Sequence, residues 1–434
     1  MGDTIFAQAT PPGLSAIAVV RLSGPDAIRA LETLCGRAIT PRSATLTDLR
    51  SACDSRWLDR ALVLSFVAPA SFTGENSAEI QCHGGRAVVA SILRELAAMP
   101  GLRPAEAGEF TRRALLNGRL DLTQVEALSD LLSAETELQH RQAATGLSGR
   151  LAGRAQFWRE HLLGCQAQVE ATIDFSDEGI VSDFAKLSAE IASVREDMAA
   201  ALAASSWTER IRDGFVVALI GPPNGGKSTL LNAIAGRDVA LTSHIPGTTR
   251  DVIEVSMDLD GLSVTMLDTA GLRDTDDDLE LHGVDRAHQR AISAHRRVFV
   301  LEPDCEPSHL GISVEPRDIL ISSKSDTGQT HPRAELAVSG LTGQNLDRLL
   351  RAIRDSLSDG ITPNGLVQSA RQKQAVAGAI GSLRDAEDLI VGDGEEALVA
   401  EALARAVSDL DALVGRTDVE AMLDQLFAKF CIGK

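Results

Sequence analysis

Lys227 and Ser228 close the run Gly221-Pro-Pro-Asn224-Gly225-Gly226-Lys227-Ser228-Thr229, which carries the spacing G-x-x-x-x-G-K-S. Glycines at these places let backbone N–H groups wrap a polyphosphate, and a following helix N-terminus adds positive potential. The lysine reaches the β- and γ-phosphates, and the serine hydroxyl is a Mg²⁺ ligand. The motif has weight only between a strand and a helix. Here six apolar residues, 215–220, precede it, and Thr229-Leu-Leu-Asn-Ala-Ile-Ala follows at helical spacing. The stretch is predicted to bind a nucleoside triphosphate.

Further pieces arrive downstream in the order that a guanine-nucleotide site requires. Gly247-Thr248-Thr249 offers a threonine for Mg²⁺ and the γ-phosphate. Asp268-Thr269-Ala270-Gly271 follows a strand-like run, with Asp268 as a carboxylate behind the metal and the Gly271 N–H near the γ-phosphate. Ser323-Lys324-Ser325-Asp326 follows Ile319-Leu-Ile-Ser and stands where N-K-x-D reads the base. A carboxylate at Asp326 accepts from guanine N1–H and its 2-amino group, whereas adenine presents an acceptor at N1. Ser339-Gly340 matches the weak last motif. Ser323 replaces an asparagine whose amide would contact the base and brace the phosphate loop, which bears on affinity more than on guanine choice. Leu272 occupies the place of a water-orienting glutamine, so another group must hold the nucleophile, and the acidic stretch 274–280 could supply it.

The elements that must position these residues divide the chain into parts. Residues 1–118 alternate β-like runs with helical stretches and read as an α+β domain. Helical periods occupy 119–211, strands alternate with helices over 212–357, and helical text returns over 358–434. The fold expected is multidomain: an α+β N-terminal domain, a discontinuous α-helical domain, and an inserted P-loop α/β GTPase domain.

Composition narrows the class. At 434 residues the chain exceeds one ordinary core, and its 44% hydrophobic and 24% charged content is that of a globular protein. The six cysteines form no C-x-x-C pair, which argues against a disulfide framework or zinc site. No basic segment followed by an apolar run opens the chain, and no apolar stretch of about 18 residues occurs, so a cytoplasmic protein is expected. The net charge of −19 disfavours bulk electrostatic binding of nucleic acid, so any RNA contact must use a local basic patch.

Beyond the nucleotide motifs, the whole chain resembles the MnmE (TrmE) family of tRNA-modifying GTPases. The resemblance rests on Ala7-Gln-Ala-Thr-Pro-Pro-Gly13, Val20-Arg21-Leu-Ser-Gly24, and Ser71-Phe-Thr-Gly-Glu75 running on to Glu79 and His83-Gly-Gly85. It continues through Gly108-Glu-Phe-Thr-Arg112, Asn117-Gly-Arg119 and the terminal Phe430-Cys431-Ile-Gly-Lys434. It implies a folate-binding and dimerising N-terminal domain, a homodimer, and a G domain that dimerises around K⁺ during hydrolysis. It also implies a flavoprotein partner, MnmG (GidA), in a heterotetramer. Together they would install a (carboxymethyl)aminomethyl group at C5 of the wobble uridine of certain tRNAs, using a one-carbon tetrahydrofolate in the 5-formyl or 5,10-methylene form.

By the same resemblance, Ser228 and Thr249 are the Mg²⁺ ligands. Asn224 of the phosphate loop holds K⁺ with Ser243, Ile245 and Thr248, which lie in a nucleotide-contacting loop that includes His244 and Pro246. Glu280 orients the attacking water, and Arg21, Glu79, Arg119 and Lys434 contact folate, with Cys431 a candidate beside it. A pterin shows the same N–H/NH₂ edge as guanine, which suits Glu79, and the anionic tail of folate suits arginine or lysine. His83 reads as structural rather than a metal ligand. Two rivals remain: a GTPase switch in ribosome assembly, and a folate enzyme whose G domain is regulatory and whose substrate is not RNA.

Overall fold

The computed structural model describes residues 2–174, 183–237, 254–268, 293–303, 312–358, 365–392, 394–416, 423, 426–428, 430 and 432–433. Two compact units emerge from it. One comprises 1–129, 147–194 and 378–434; the other comprises 130–146 and 195–377.

The first unit begins with a six-stranded sheet. Its strands are β1 (Thr4–Gln8), β2 (Ile17–Ser23), β3 (Thr45–Arg50), β4 (Trp57–Phe66), β5 (Ser77–His83) and β6 (Leu102–Pro104), in the order β3-β4-β5-β2-β1-β6. All pairings are antiparallel except β1 with β6. Alternation decides which face is covered. Val20, Leu22, Val63, Ile80 and Cys82 point to one side and pack under α1 (Ala27–Cys35) and α2 (Arg86–Ala97). Arg21 and Glu79 fall on the opposite side by the same period of two.

Helices α3 (Glu109–Leu116) and α4 (Leu122–Ser133) follow. The long helices α6 (Arg150–Asp174) and α12 (Glu396–Val414) bury apolar faces in the same unit. On α6, Leu151, Ala155, Trp158, Leu162, Cys165 and Val169 recur at spacings of three and four, which places them on one stripe. Arg159 Nε donates to Asp411 Oδ1 at 2.7 Å, tying the two helices at their polar margin.

The second unit holds a sheet ordered β12-β11-β10-β7-β9-β8. These strands are β7 (Phe215–Ile220), β8 (Glu254–Leu259), β9 (Leu262–Asp268), β10 (Arg296–Leu301), β11 (Ile319–Ser322) and β12 (Leu336–Ala337). All are parallel except β8, which runs antiparallel to β9. β7 is buried on both faces, which is why it reads as an unbroken apolar run. Phe215, Val217 and Leu219 meet α9 (Lys227–Ala235) and α10 (Leu346–Ser358), while Ala218 and Ile220 pack with Phe299, Leu301 and Leu320. α10 buries Leu346, Leu349, Leu350, Ile353 and Leu357 there, each contributing roughly 1.5–3 kcal/mol. Helix α5 (Glu137–Leu147) begins in this unit. Three more helices, α7 (Phe184–Ala203), α8 (Ser205–Asp213) and α11 (Ala370–Val391), complete the helical text read from the sequence.

Candidate active site

The phosphate loop lies where β7 ends, between β10 and β9. Strands β8 and β9 lie to one side of β7 and β10, β11 and β12 to the other, and such switch points open a crevice beyond the strand ends. Gly221 is required there: a Cβ would stand 2.5 Å from the Val300 carbonyl oxygen. Asn224 has φ +61° and Gly226 φ +87°, so the loop turns twice through the left-handed region before α9 starts at Lys227. Asparagine tolerates that region better than most residues. The orphan N–H groups of the first turn of α9 therefore face the loop.

Lys227 is 3% exposed, and its Nζ donates to the carbonyl oxygens of Gly221 and Pro222, each at 2.8 Å. Burial holds its pKa below the usual lysine range, with Asp268 and Glu302 pulling the other way. Ser228 Oγ donates to Asp268 Oδ2 at 2.5 Å. Asp268 sits opposite Leu219 in the β7–β9 register, which brings its carboxylate to the start of α9. A hydroxyl and a carboxylate converging in this way fit an oxygen-ligated Mg²⁺.

Ser323 follows β11 and is buried, and its Oγ donates to the Gly225 carbonyl at 2.5 Å. The bracing that the missing asparagine amide would supply is thus made by a shorter side chain. Lys324, at φ +56°, reaches Glu302 Oε1 at 3.0 Å. The exposed Asp326 accepts from Ser339 Oγ, and the same Ser339 oxygen accepts from Thr342 N–H at 3.2 Å. Ser325 N–H donates to the Val338 carbonyl at 3.0 Å, so the turn at 323–326 is pinned to the loop that follows β12. Gly340 lies against the first turn of α9: a Cβ would be 2.9 Å from Leu230 N. Asn224, Gly225, Gly226, Lys227, Ser228, Asp268, Ser323, Lys324, Ser325, Asp326, Ser339 and Gly340 therefore gather at one end of one sheet, with Thr229 in the helix turn behind them. Ser243, His244, Ile245, Pro246, Gly247, Thr248, Thr249, Thr269, Ala270, Gly271, Leu272, the acidic stretch 274–278 and Glu280 lie outside the described residues.

In the first unit, Arg21 and Glu79 face each other across β2 and β5. Arg21 Nε and Nη2 both donate to Glu79 Oε1, at 3.1 and 2.9 Å. The guanidinium lies 5.7 Å from the Phe72 ring and 5.9 Å from that of Phe110. Arg119 is exposed and runs along the turn that carries Phe72, with its Cγ 3.1 Å from where a Gly74 Cβ would be. Ile432 bridges to Ala107, and Gly433 at φ +98° approaches so closely that a Cβ would stand 2.4 Å from the Gln8 oxygen. The terminal tail therefore reaches the end of β1, next to the strand carrying Arg21. Cys431 and Lys434 themselves lie outside the described residues. His83 Nδ1 pairs with the buried Asp59 at 2.8 Å, a structural partner.

Sequence reasoning missed an ion network under this face. Arg113, with its side chain 4% exposed, reaches Asp3 Oδ1 (2.9 Å), Glu109 Oε1 (3.0 Å) and Glu75 Oε2 (3.1 Å). Arg103 adds Asp3 Oδ2 at 2.5 Å and Glu109 Oε1 at 2.6 Å. Burial pushes Glu109 upward, but donors from Arg103, the Glu106 N–H and Arg113 outweigh it and hold the carboxyl below its usual range. Glu75 also accepts from Ser23 Oγ at 2.8 Å, which fixes the turn beneath Phe72. The legible signal was Glu109 and Arg113 four apart on one helix.

Comparison with known proteins covers the chain from end to end. A family model described as "GTP-binding protein TrmE N-terminus" matches residues 4–119, and one described as "MnmE helical domain" matches 122–431. A tRNA modification GTPase MnmE from Cereibacter sphaeroides (strain ATCC 17029 / ATH 2.4.9) is 49% identical over 435 residues, and one from Dinoroseobacter shibae is 46% identical over 433. Each match covers 100% of both chains.

Proposed function

The chain belongs to the MnmE (TrmE) family, and from that premise we propose that it hydrolyses GTP in the service of tRNA modification. The observation that carries the reading is the convergence of phosphate loop, Asp268, braced base-reading turn and Gly340 at the β7 switch point. The loop N–H groups and Lys227 would hold the β- and γ-phosphates. Ser228 would hold Mg²⁺ with Thr249, and Asp268, bonded to that hydroxyl, orients it. Asp326, fixed by Ser339, reads the guanine edge.

The finer proposal follows the family. Asn224, with Ser243, Ile245 and Thr248, would hold K⁺, which supplies positive charge where β–γ cleavage develops negative charge. Glu280 orients the water that Leu272 cannot. Arg21, Glu79, Arg119 and Lys434 take a reduced folate beside Cys431, and an MnmG-type flavoprotein completes a complex that modifies C5 of the wobble uridine. Homodimerisation and a cytoplasmic location belong to the same reading. Among the described residues no helix is long and apolar enough to cross a membrane.

Single-turnover hydrolysis at equal ionic strength in K⁺ and in Na⁺ tests the catalytic part. A rate at least tenfold faster in K⁺ is expected, and Asn224→Ala should remove most of that difference. Equal rates in the two salts for the intact protein would rule out the cation role.

A further inference from the structure

Lys324 spans the nucleotide site, and a carboxylate from a third loop holds its far end. Its backbone is fixed on both sides: Ser323 Oγ donates to the Gly225 carbonyl, and Ser325 N–H donates to that of Val338. The residue itself sits at φ +56°, in the left-handed region that a lysine seldom adopts. From there the side chain runs over the phosphate loop, with Cε 3.9 Å from where a Gly226 Cβ would be. It ends at Glu302, where Nζ donates to Oε1 at 3.0 Å.

The sheet explains how Glu302 comes to that place. β10 lies between β7 and β11, with Phe299 opposite Ile220 and Leu301 opposite Ser322. Glu302, one residue past Leu301, therefore leaves the sheet between the phosphate loop and the turn at 323–326. Its charge runs against the simplest design of such a site. A loop that binds a polyphosphate gains from positive potential, and a nearby carboxylate repels the anion. Glu302 and Asp268 are the carboxylates whose fields act on Lys227. Asp268 has a role beside Ser228, whereas the contact that Glu302 makes is with Lys324. The Lys324 and Glu302 side chains are 47% and 35% exposed, so as a bare surface ion pair they would add little stability. What the pair does fix is direction. With the backbone already held, the freedom left to Lys324 is that of its flexible stem.

We propose that Glu302 is a positioning residue for nucleotide binding, whose ion pair holds the Lys324 stem across Gly226 as a preformed floor between the phosphate loop and Asp326. This rests on the GTPase reading and adds a group to that site. A nucleotide that runs from phosphates at Gly226 to a base at Asp326 passes over this stem. Ordering the stem in advance removes that cost from the binding step. Glu302 as a mere negative charge beside Lys227 is the competing role, and it predicts the opposite sign: neutralising it would tighten the hold on an anion.

Calorimetric titration of the full chain with Mg²⁺–GDP and with a non-hydrolysable GTP analogue separates the two. Glu302→Gln, which keeps the shape and removes the charge, is expected to weaken both ligands alike, by about threefold to fivefold. Unchanged melting curves distinguish this loss from unfolding. Lys324→Met should weaken binding too, and in that background Glu302→Gln should cost nothing further, because the group it positions is gone. A purely structural role would instead give losses that multiply. Tighter binding by Glu302→Gln, affinity within twofold of the parent, a loss confined to the triphosphate, or the same loss with Lys324→Met present each overturns the proposal. A parent chain that binds neither nucleotide fails the GTPase reading itself, so that failure is told apart from one in which only the variants disagree.

Discussion

At the scale of single residues, Ser323 is the most informative position. The sequence shows only a departure from N-K-x-D, and the length of the side chain leaves its effect open. The structure resolves it because β11 delivers the residue, buried, against Gly225, where a hydroxyl is long enough to reach the carbonyl. Removing that donor leaves a buried acceptor unmet, at about 1–3 kcal/mol. Ser323→Ala is therefore expected to weaken GTP binding roughly tenfold in a calorimetric titration. Ser323→Asn should hold or improve it, and an alanine variant with parental affinity would dismiss the brace. Glu79 offers a second test. Its carboxylate, held by Arg21 on the face of the sheet away from α1 and α2, is the proposed pterin reader. Glu79→Ala is expected to abolish calorimetric binding of 5-formyltetrahydrofolate while GTP affinity stays the same.

Glycine, lysine and serine at fixed spacing allow few other uses, and the loop that carries them does run between a strand, β7, and a helix, α9, as the motif requires. Arg21 and Glu79 are singled out only by family resemblance; taken singly they are surface charges. Their pairing required the β2–β5 register, which no local pattern specifies.

Among elements, α3 shows how a helix can be read correctly and still be misjudged. Its existence follows from the sequence, but its face is unusual: Glu109 and Arg113 are buried along with Phe110 and Ala114. Glu109 pairs with Arg103 and Arg113 nearby, but the other partners of Arg113, Asp3 and Glu75, lie more than a hundred and nearly forty residues away, so no window contains the network. Removing one member leaves an uncompensated buried charge, which costs about 3–5 kcal/mol. Because the Glu109 carboxyl is held below its unfolded value, its contribution is fully present above that unfolded value and is lost as pH falls through the lower folded one. Thermal melts between pH 7 and pH 3 should therefore show Glu109→Gln less stable at pH 7, with a shallower acid dependence than the parent. Parallel curves would remove Glu109 from the acid response.

For the whole molecule, the order of the text was its most legible feature. Helical periods resume after the nucleotide motifs, and the matched helical family model runs from 122 to 431 across them. Of the two compact units, the one that holds the phosphate loop also takes in residues 130–146 and 195–211, stretches of helical text. Residues 139, 142 and 368 explain this locally, since Gln139 bonds the Arg212 carbonyl and Gln368 bonds that of Gln142. Periodicity marks where a helix starts and stops, but not which core its polar side chains join.

The account stands or falls on the tRNA. Nucleosides should be prepared from bulk tRNA of a strain lacking the gene, and of the same strain carrying the intact chain or Lys227→Ala. Loss of C5-modified wobble uridine in the deletion, return with the intact chain, and failure of Lys227→Ala to restore it is the expected result. Unchanged wobble uridine in the deletion strain, above all alongside a ribosomal-subunit defect, would contradict the account and favour a switch in ribosome assembly.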